Sequence, residues 1–347
     1  MSSIWNNRIS ISFFGESEGP AIGVTIDNLP SGEYIDPEEI RRYMDMRTPI
    51  SYRSENSRRT PLPRIMSGIT GDRTNGSPLC AFIQNVDRHP QKQDDQVTEL
   101  TRIGNSDYTG TVRFRGYTDV MDKSTQAEKL AAPLCFAGAV CAQILERRGI
   151  FTGAHIASIH NIKDNPFDRA KLDRDALISF RYKDFPVIND RKGWLMLEDI
   201  SKARESCETL GGIIECAAVN VPAGVGSPVF DGIENNIARL IFSIPYVKGL
   251  EFGAGFSTAG MVGSRSSDDF YVDKHGHVLT RTNNHGGIIG GISSGMPIIL
   301  SVAIKPVQNE GCGDLGDTCI VPKAVKSVES AVNIALLSNM LDYPGFC

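Results

Sequence analysis

The chain has 347 residues, enough for one large domain or two smaller ones, and its composition is that of an ordinary folded, water-soluble protein. A formal net charge of -5 gives no basis for a general nucleic-acid or membrane partner. The sequence shows no apolar run of the roughly 18 residues that a membrane span needs, no secretory pattern and no CxxC pair for zinc. These features predict a cytoplasmic protein with reduced thiols and no metal.

The N-terminal part of the sequence predicts strands, one short helix and one long polar loop. Asp36, followed by Pro37, is typical of a helix start, and that helix is expected to end near Met46. Residues 47–64 are polar, rich in arginine and without periodicity, which indicates a long loop. Strands are predicted over residues 9–14, 21–26, 67–71 and 79–85.

The remaining sequence predicts alternating strands and helices. Thr125 and Glu128 have capping-box spacing and begin an apolar helix that runs to about Arg147, with an interruption or kink near Pro133. Residues 165–194 carry only a weak pattern. Further helices are predicted over residues 195–210, 231–242 and 322–340, strands over 151–159, 213–221 and 297–304, and a glycine-rich turn over 286–295.

One pattern occurs twice in the chain. Residues 22–32 form a strand and a Pro-x-Gly turn before the helix that starts near Asp36, and residues 213–224 do the same before the helix that starts near Asp231. This repeat indicates a duplicated α+β unit. Because no Pro, Ser or Gly linker separates the halves, we expect a single domain over residues 1–347.

Four loop or turn segments concentrate the residues that could carry chemistry. Their simplest interpretations are structural, because arginines in polar loops are usually solvated and glycine-rich segments are usually tight turns. The functional alternative is a set of donors for phosphate and carboxylate groups beside backbone that a flat ligand can approach closely. The segments are Gly15–Gly19, the arginine loop 47–64, Arg102–Gly110, and Thr282–Gly295 continuing to Lys305 and Pro306.

Taken together, these segments resemble the chorismate synthase family in order and spacing. The family's Phe-Gly-Glu-Ser-His-Gly corresponds here to Phe14–Gly19, and Arg47, Pro49 and Arg53 keep the register of its arginine loop. The similarity covers nearly the whole chain. Its other parts are Leu100–Gly110, Gly211–Phe256, Thr282–Ile298, Val302–Pro306 and Asp317–Val325.

The resemblance implies a fold, a reaction and an assembly. The fold would be an α+β, chorismate-synthase-like β-α-β sandwich of two antiparallel sheets around a helical core, internally duplicated. The reaction would be the 1,4-anti elimination of phosphate from 5-enolpyruvylshikimate 3-phosphate, giving chorismate in the shikimate pathway of aromatic amino acid biosynthesis. Reduced FMN would be the cofactor, a phosphorylated or carboxylated small molecule the substrate, and a homotetramer the assembly, without nucleic acid or membrane.

The resemblance also assigns roles to individual residues. Positions matching the family's catalytic residues are Glu18, Asn105 and Asp317, and those matching its substrate-binding arginines are Arg47, Arg53 and Arg102. Positions matching its flavin-binding residues are Ser124, Thr125, Asn284, Gly290, Lys305, Pro306, Val307, Gln308 and Asn309.

Both proton-donating positions lack the family's residue type. Glu18 and Asn105 stand where the family has its two proton-donating histidines, and one phosphate-facing arginine is Ala127. An ionised glutamate repels a phosphate dianion, and an asparagine cannot exchange a proton. Because each lost general acid costs roughly 10²–10⁴-fold in rate, these changes predict that the ancestral reaction is altered or weakened.

Three functional hypotheses follow from this pattern. In the first, the chain is a working chorismate synthase with a rearranged site, in which burial keeps Glu18 protonated. In the second, it is a paralogue that acts on another anionic, shikimate-like metabolite. In the third, it is a non-catalytic member that binds a ligand or a partner.

Overall fold

A computed structural model describes residues 3–15, 19–49, 62–85, 112–113, 115, 125–307 and 318–344, except for the side chains of residues 125–130. The strands are β1 (Ile4–Asn6), β2 (Ser10–Gly15), β3 (Ala21–Asp27), β4 (Arg64–Ser67), β5 (Ile69–Thr70), β6 (Arg73–Thr74), β7 (Leu79–Gln84), β8 (Phe151–Ile159), β9 (Ile162–Lys163), β10 (Gly212–Val219), β11 (Val247–Phe252), β12 (Phe270–Val272), β13 (Val278–Thr280), β14 (Ile288–Ile289), β15 (Ile292–Ser293) and β16 (Ile298–Ile304). The helices are α1 (Pro37–Asp45), α2 (Thr125–Glu146), α3 (Arg174–Arg181), α4 (Asp190–Glu205), α5 (Ile233–Ile241), α6 (Gly263–Ser266) and α7 (Val321–Met340). No helix in these ranges is both long and apolar enough to cross a membrane.

The strands form two five-stranded antiparallel sheets and three two-stranded ones, β5–β6, β12–β13 and β14–β15. Sheet 1 has the strand order β1-β2-β3-β7-β4, and sheet 2 has the order β11-β16-β10-β8-β9. In strand β7 of sheet 1 every second residue is buried, namely Leu79, Ala81 and Ile83. That period of two is what one buried face requires.

Helices α2 and α7 pack against each other between the two sheets. Both are apolar on nearly all sides, and α7 is buried along almost its entire length. The two helices approach closely at Gly138, where a Cβ atom would overlap Ser330. The β-α-β sandwich implied by the resemblance is therefore confirmed.

The two halves repeat the same topology. The order β2-β3-β7-β4 in sheet 1 matches β8-β10-β16-β11 in sheet 2, and α1 and α2 occupy the same places in the chain as α5 and α7. Matching hydrogen bonds support the repeat, because Thr74 Oγ1 donates to Pro30 O and Ser293 Oγ to Pro222 O, each at 2.5 Å. The internal duplication predicted from residues 22–32 and 213–224 is confirmed.

Several predicted elements need correction. Helix α3 lies within the weakly patterned residues 165–194, and α4 begins at Asp190 because the Asn189 side chain accepts from Arg191 N at 3.0 Å. The predicted strand 67–71 is instead the end of β4 followed by the β5–β6 hairpin. Helix α2 continues through Pro133 as one helix. The expectation of reduced thiols is wrong at Cys207, which is disulfide-bonded.

Sheet 2 buries an ion cluster on the face that packs against Phe167 and Phe180. His155 Nε2 lies 3.0 Å from Glu215 Oε2, and its Nδ1 lies 3.3 Å from Asp164 Oδ2 without hydrogen-bond alignment. Burial alone would lower the pKa of His155, but the two carboxylates outweigh it and the pKa is raised. His155 therefore joins two strands and the following loop as a structural residue.

This cluster predicts a pH-dependent stability. The stabilisation from protonated His155 is complete below its ordinary pKa of about 6.5 and is lost as the pH rises through the higher pKa of the folded state. Replacing His155 with Gln is expected to cost about 3 kcal/mol near pH 6 and clearly less near pH 9, as measured by urea unfolding. The exposed His160 gives a control, since H160Q should change little at either pH. An equal loss for H155Q at both values would show that His155 is neutral in the folded protein.

Candidate active site

A small cleft with a cavity volume of about 30 Å³ lies where the chain after α1, helices α2 and α7 and the segment before β11 meet. Two cationic side chains, Arg47 and Lys323, share it with the hydroxyl-bearing Tyr246 and Ser327. Its remaining lining is apolar, and consists of Ala131, Ile244, Pro245, Ile320 and Ala324. This volume suits one charged group of a ligand, because whole small-molecule sites measure roughly 300–1,000 Å³. We refer to it as the anion pocket.

Helix ends place both cations of the anion pocket. Arg47 follows the last turn of α1, and its backbone N donates to Met44 O at 3.1 Å. Lys323 lies in the first turn of α7, a helix end that already carries partial positive charge. A lysine there opposes the helix dipole. The arrangement therefore accumulates positive charge at one point, which suits a negatively charged ligand.

Tyr246 connects the anion pocket to Lys305, the first residue of the predicted flavin strip. Lys305 N donates to Tyr246 O at 2.9 Å, and Lys305 Nζ lies 5.8 Å from the centre of the Tyr246 ring. Tyr246 is in the left-handed region at φ +67°. Such a backbone costs a non-glycine residue roughly 1 kcal/mol or more and persists only where its surroundings impose it. Tyr246 thus neighbours both the predicted substrate residue Arg47 and the predicted cofactor residue Lys305.

A buried network of charges lies on α7, next to the anion pocket. Glu329 Oε2 is 2.7 Å from Lys326 Nζ, and Glu329 Oε1 is 3.2 Å from Arg181 Nε. Arg181 also contacts Glu146 at 2.5 Å, so two cations face two carboxylates. A hydrogen bond of 3.0 Å between Tyr43 and the α7 residue Ser330 extends the network to α1. We refer to these groups as the Glu329 network.

Burial and the neighbouring carboxylates shift the pKa values of the two cations in this network in opposite directions. Burial lowers the pKa of Lys326 and outweighs the attraction of Glu329. For Arg181, burial alone would lower the pKa, but Glu329 and Glu146 raise it. Ser327 Oγ, which lines the anion pocket, lies 3.7 Å from Cys135 Sγ, and both Arg47 and Lys326 act electrostatically on that thiol. The pocket and the network are therefore direct neighbours.

Two further residues predicted to bind flavin lie in a separate cluster. The Asn284 side-chain N–H groups donate to Arg265 O at 3.1 Å and Ser266 O at 3.4 Å, and its backbone N donates to Asp268 Oδ1 at 2.8 Å. Gly290 is exposed at the tip of the β14–β15 hairpin at φ +62°, and nothing lies within 4 Å of the place where a Cβ atom would be. Its backbone is accessible to a flat ligand.

The two groups of flavin-assigned residues lie at opposite ends of β16. Ile299, near the start of the strand, bonds Gly286 O, whereas Lys305 follows its last residue. Six residues of extended strand span about 20 Å. Beyond Lys305, Val307 O accepts a hydrogen bond from Thr209 Oγ1, and Pro306 packs against Gly211. The Lys305 ammonium and the open Gly290 backbone fit an anionic, planar flavin, but within one chain they do not converge.

Several sequence-predicted residues lie outside the described part of the chain. Thr125 begins α2, and its side chain is not described. The others are Glu18, Asn105, Asp317, Arg53, Arg102, Ser124, Gln308 and Asn309. Their roles stay predictions.

The structure adds pocket residues that the sequence did not single out. Lys323 and Ser327 lie four residues apart on a helix, so they face the same side of α7, a spacing visible in the sequence. Tyr246 carries no pattern that predicts its position, because the left-handed turn that places it arises from tertiary packing. Among the described residues, no group of His, Cys, Asp and Glu could hold a metal ion.

Comparisons with known proteins agree with this architecture. The family model described as chorismate synthase matches residues 9–310. Chorismate synthases of Thermococcus kodakarensis and Korarchaeum cryptofilum are each 34% identical to the chain, over 96% and 97% of both partners respectively. A crystal structure of chorismate synthase superimposes with a TM-score of 0.80 and 26% identity, covering 97% of this chain and 93% of that one.

The Glu329 network generates a stability prediction. Glu329→Gln leaves Lys326 and Arg181 facing an amide in a buried site, and we expect a loss of about 3–5 kcal/mol in the free energy of unfolding by urea. Glu198→Gln, which breaks the exposed ion pair with Lys202, should cost about 0.5 kcal/mol or less. The double variant Lys326→Met, Glu329→Gln should regain part of the loss. If E329Q is no worse than E198Q, the network does not hold the central helices.

Proposed function

The chain belongs to the chorismate synthase family, and we propose that it is a flavin-dependent lyase that eliminates phosphate from 5-enolpyruvylshikimate 3-phosphate to give chorismate. The observation that carries this proposal is the anion pocket, in which Arg47 and Lys323 converge on one small concavity. A phosphorylated dicarboxylate is the class of substrate that such a pocket suits. The reaction belongs to aromatic amino acid biosynthesis through the shikimate pathway.

The chain's own residues would bind and orient this substrate. Arg47 presents a planar fork of donors that matches phosphate or carboxylate oxygens, and Lys323 adds a compact charge at a helix N-terminus. The apolar wall around Ile244 and Ala324 limits water at the site, which strengthens both interactions. Arg53 and Arg102 are proposed to complete the grip on the anion.

Reduced FMN is the proposed cofactor, and when bound it would supply electron density to the allylic system of the substrate. Lys305 is proposed to hold its negative charge, and Gly290 to allow close approach of its ring. Asn284 is proposed to act through the loop that its amide fixes at Arg265 and Ser266. Ser124, Thr125 and the residues Pro306, Val307, Gln308 and Asn309 are proposed to complete the cradle.

The proposed catalytic positions are Glu18, Asn105 and Asp317. Glu18 would act as an acid only if its surroundings keep it protonated, and Asn105 would only donate a hydrogen bond. These two substitutions favour a second candidate function, in which the chain acts on a related anionic metabolite from which phosphate need not be expelled. A ligand-binding member without catalysis is the remaining alternative.

We propose a homotetramer in which a second copy completes the cofactor site. About 20 Å of β16 separates Lys305 from the Asn284 cluster, so the Asn284 end of one copy would meet the Lys305 end of another. Large exposed apolar side chains support this arrangement, since Phe230 and Phe256 near the Asn284 end are 85% and 84% exposed. Each chain is proposed to fold as one domain, because one continuous hydrophobic core joins both halves. The cytoplasm is its proposed location.

The pocket residues give the first test of this function. Replacing Lys323 or Arg47 with Met should weaken the binding of 5-enolpyruvylshikimate 3-phosphate roughly 10- to 100-fold, since each removes a charged hydrogen-bond donor. Isothermal titration calorimetry measures the change. The exposed Lys248 of β11 is the control, and K248M should bind as the unmodified protein does. Equal affinities for K323M, R47M and K248M would place the substrate elsewhere.

The cofactor assignment gives a second test. Reduced FMN, titrated anaerobically and followed by its absorbance, should bind the unmodified protein, and Lys305→Met should weaken binding about 10-fold through loss of a charged contact. Lys274→Met, at an exposed loop, should leave the affinity unchanged. If FMN fails to bind the unmodified protein with and without substrate, both flavin-dependent functions are wrong.

A further inference from the structure

Three histidines in the described part of the chain have Nδ1 bound to an aspartate. The distances are 3.0 Å for His160 and Asp199, 3.1 Å for His277 and Asp273, and 2.7 Å for His285 and Asp268. The carboxylates differ in their environment. The side chain of Asp268 is 3% exposed, against 27% for Asp199 and 22% for Asp273. Only the pair with Asp268 combines a buried carboxylate with an accessible imidazole.

Asp268 is fixed by several hydrogen bonds. Its Oδ1 accepts from Thr282 Oγ1 at 2.6 Å and from Asn284 N at 2.8 Å, and its Oδ2 accepts from His285 N at 3.0 Å in addition to the imidazole. Burial alone would raise the pKa of Asp268, but these bonds outweigh it and the pKa is lowered. A carboxylate that stays ionised and immobile orients the imidazole and fixes its tautomer.

The other ring nitrogen of His285 faces outward. The side chain is 43% exposed, and among the residues that the structure describes none forms a hydrogen bond with Nε2. Glu234 in the first turn of α5 is the other titratable group that acts on this ring. Its pKa is raised by burial, and His285 partly offsets the effect. His285 therefore combines an accessible ring with two interacting carboxyl groups, those of Asp268 and Glu234.

The position of this pair relates it to the proposed cofactor. His285 follows Asn284 directly, and the loop that carries both residues is held by Asp268. The same segment continues into the hairpin whose tip is Gly290. Both neighbours are assigned to flavin binding under the proposed function, on which the following inference rests. The chain also has no histidine at position 18 or 105, so an acid–base group from elsewhere is needed.

We propose that His285, oriented by Asp268, is an acid–base residue that exchanges a proton through Nε2 with the flavin bound at the Asn284–Gly290 segment. A flavin N–H bond breaks as the Nε2–H bond forms, and the electron pair stays on the flavin nitrogen. The resulting imidazolium is paired with Asp268 and returns the proton to water, to which the ring is open. No oxidant or reductant is consumed in this exchange.

The test uses the full-length protein loaded anaerobically with reduced FMN. The bound flavin is titrated with pH by absorbance, and chorismate formation is measured over the same range. His285→Gln is expected to move the spectral midpoint by roughly one pH unit, remove one limb of the pH–rate profile and lower the rate about 10²-fold. His285→Ala should regain activity when imidazole is added, an effect that a purely structural role would not produce. His277→Gln, at the exposed pair, should match the unmodified protein in every measurement.

The outcomes separate this inference from the function on which it rests. If flavin binds H285Q with the same spectral midpoint and the same pH–rate profile as the unmodified protein, the role of His285 is disproved while the flavin-dependent function stands. If the unmodified protein binds no flavin, the proposed function fails and this role fails with it. Asp268→Asn, which removes the negative charge that faces the imidazole, should move the spectral midpoint in the same direction as H285Q.

Discussion

The contacts of Glu329 with Lys326 and Arg181 are the constraint on which the central layer of this protein depends. Helix α7 is buried along almost its whole length, so its charges have to be paired inside the protein. That pairing leaves α7 little freedom to rotate, because Arg181 must reach it from α3 and Ser330 must meet Tyr43 from α1. A fixed rotation in turn directs Lys323 and Ser327 toward one side, where they meet Arg47. The buried network thus determines where the positive charge of the pocket lies.

Under the proposed function, the cations that bind the anion and the imidazole that exchanges a proton lie at opposite ends of β16. Positive charge is concentrated at the Lys305 end of β16, around the anion pocket, whereas the oriented imidazole of His285 lies at the other end. The duplicated topology gives each half a similar hairpin. Its hydroxyl residue, Thr74 in the first half and Ser293 in the second, donates a hydrogen bond to the preceding proline turn. In the second half this hairpin presents Gly290. A family scaffold without the two histidines therefore still holds an aspartate-bound imidazole beside the segment proposed to bind the cofactor.

The sequence predicted those parts of the structure that local rules control. The N-cap at Asp36, the strand at β8 and the repeated strand–turn–helix unit follow from capping, period and turn chemistry, and they are present. Helix α3 was missed although Asp173 caps its start, and the pairing of its last residue, Arg181, with Glu329 and Glu146 joins groups distant in sequence. Arg47 was recognised from the family resemblance. Tyr246 and the pairing of His285 with Asp268 were not, because they depend on contacts between segments that no local pattern records.

The proposed function requires flavin-dependent phosphate elimination in a chain whose sequence lacks both family histidines. The most direct measurement mixes the unmodified protein anaerobically with reduced FMN and 5-enolpyruvylshikimate 3-phosphate and quantifies chorismate and inorganic phosphate over time. Under the proposed function, both products appear in equal amounts over many turnovers, with the flavin still reduced at the end. Saturating binding of flavin and substrate without release of phosphate would contradict it.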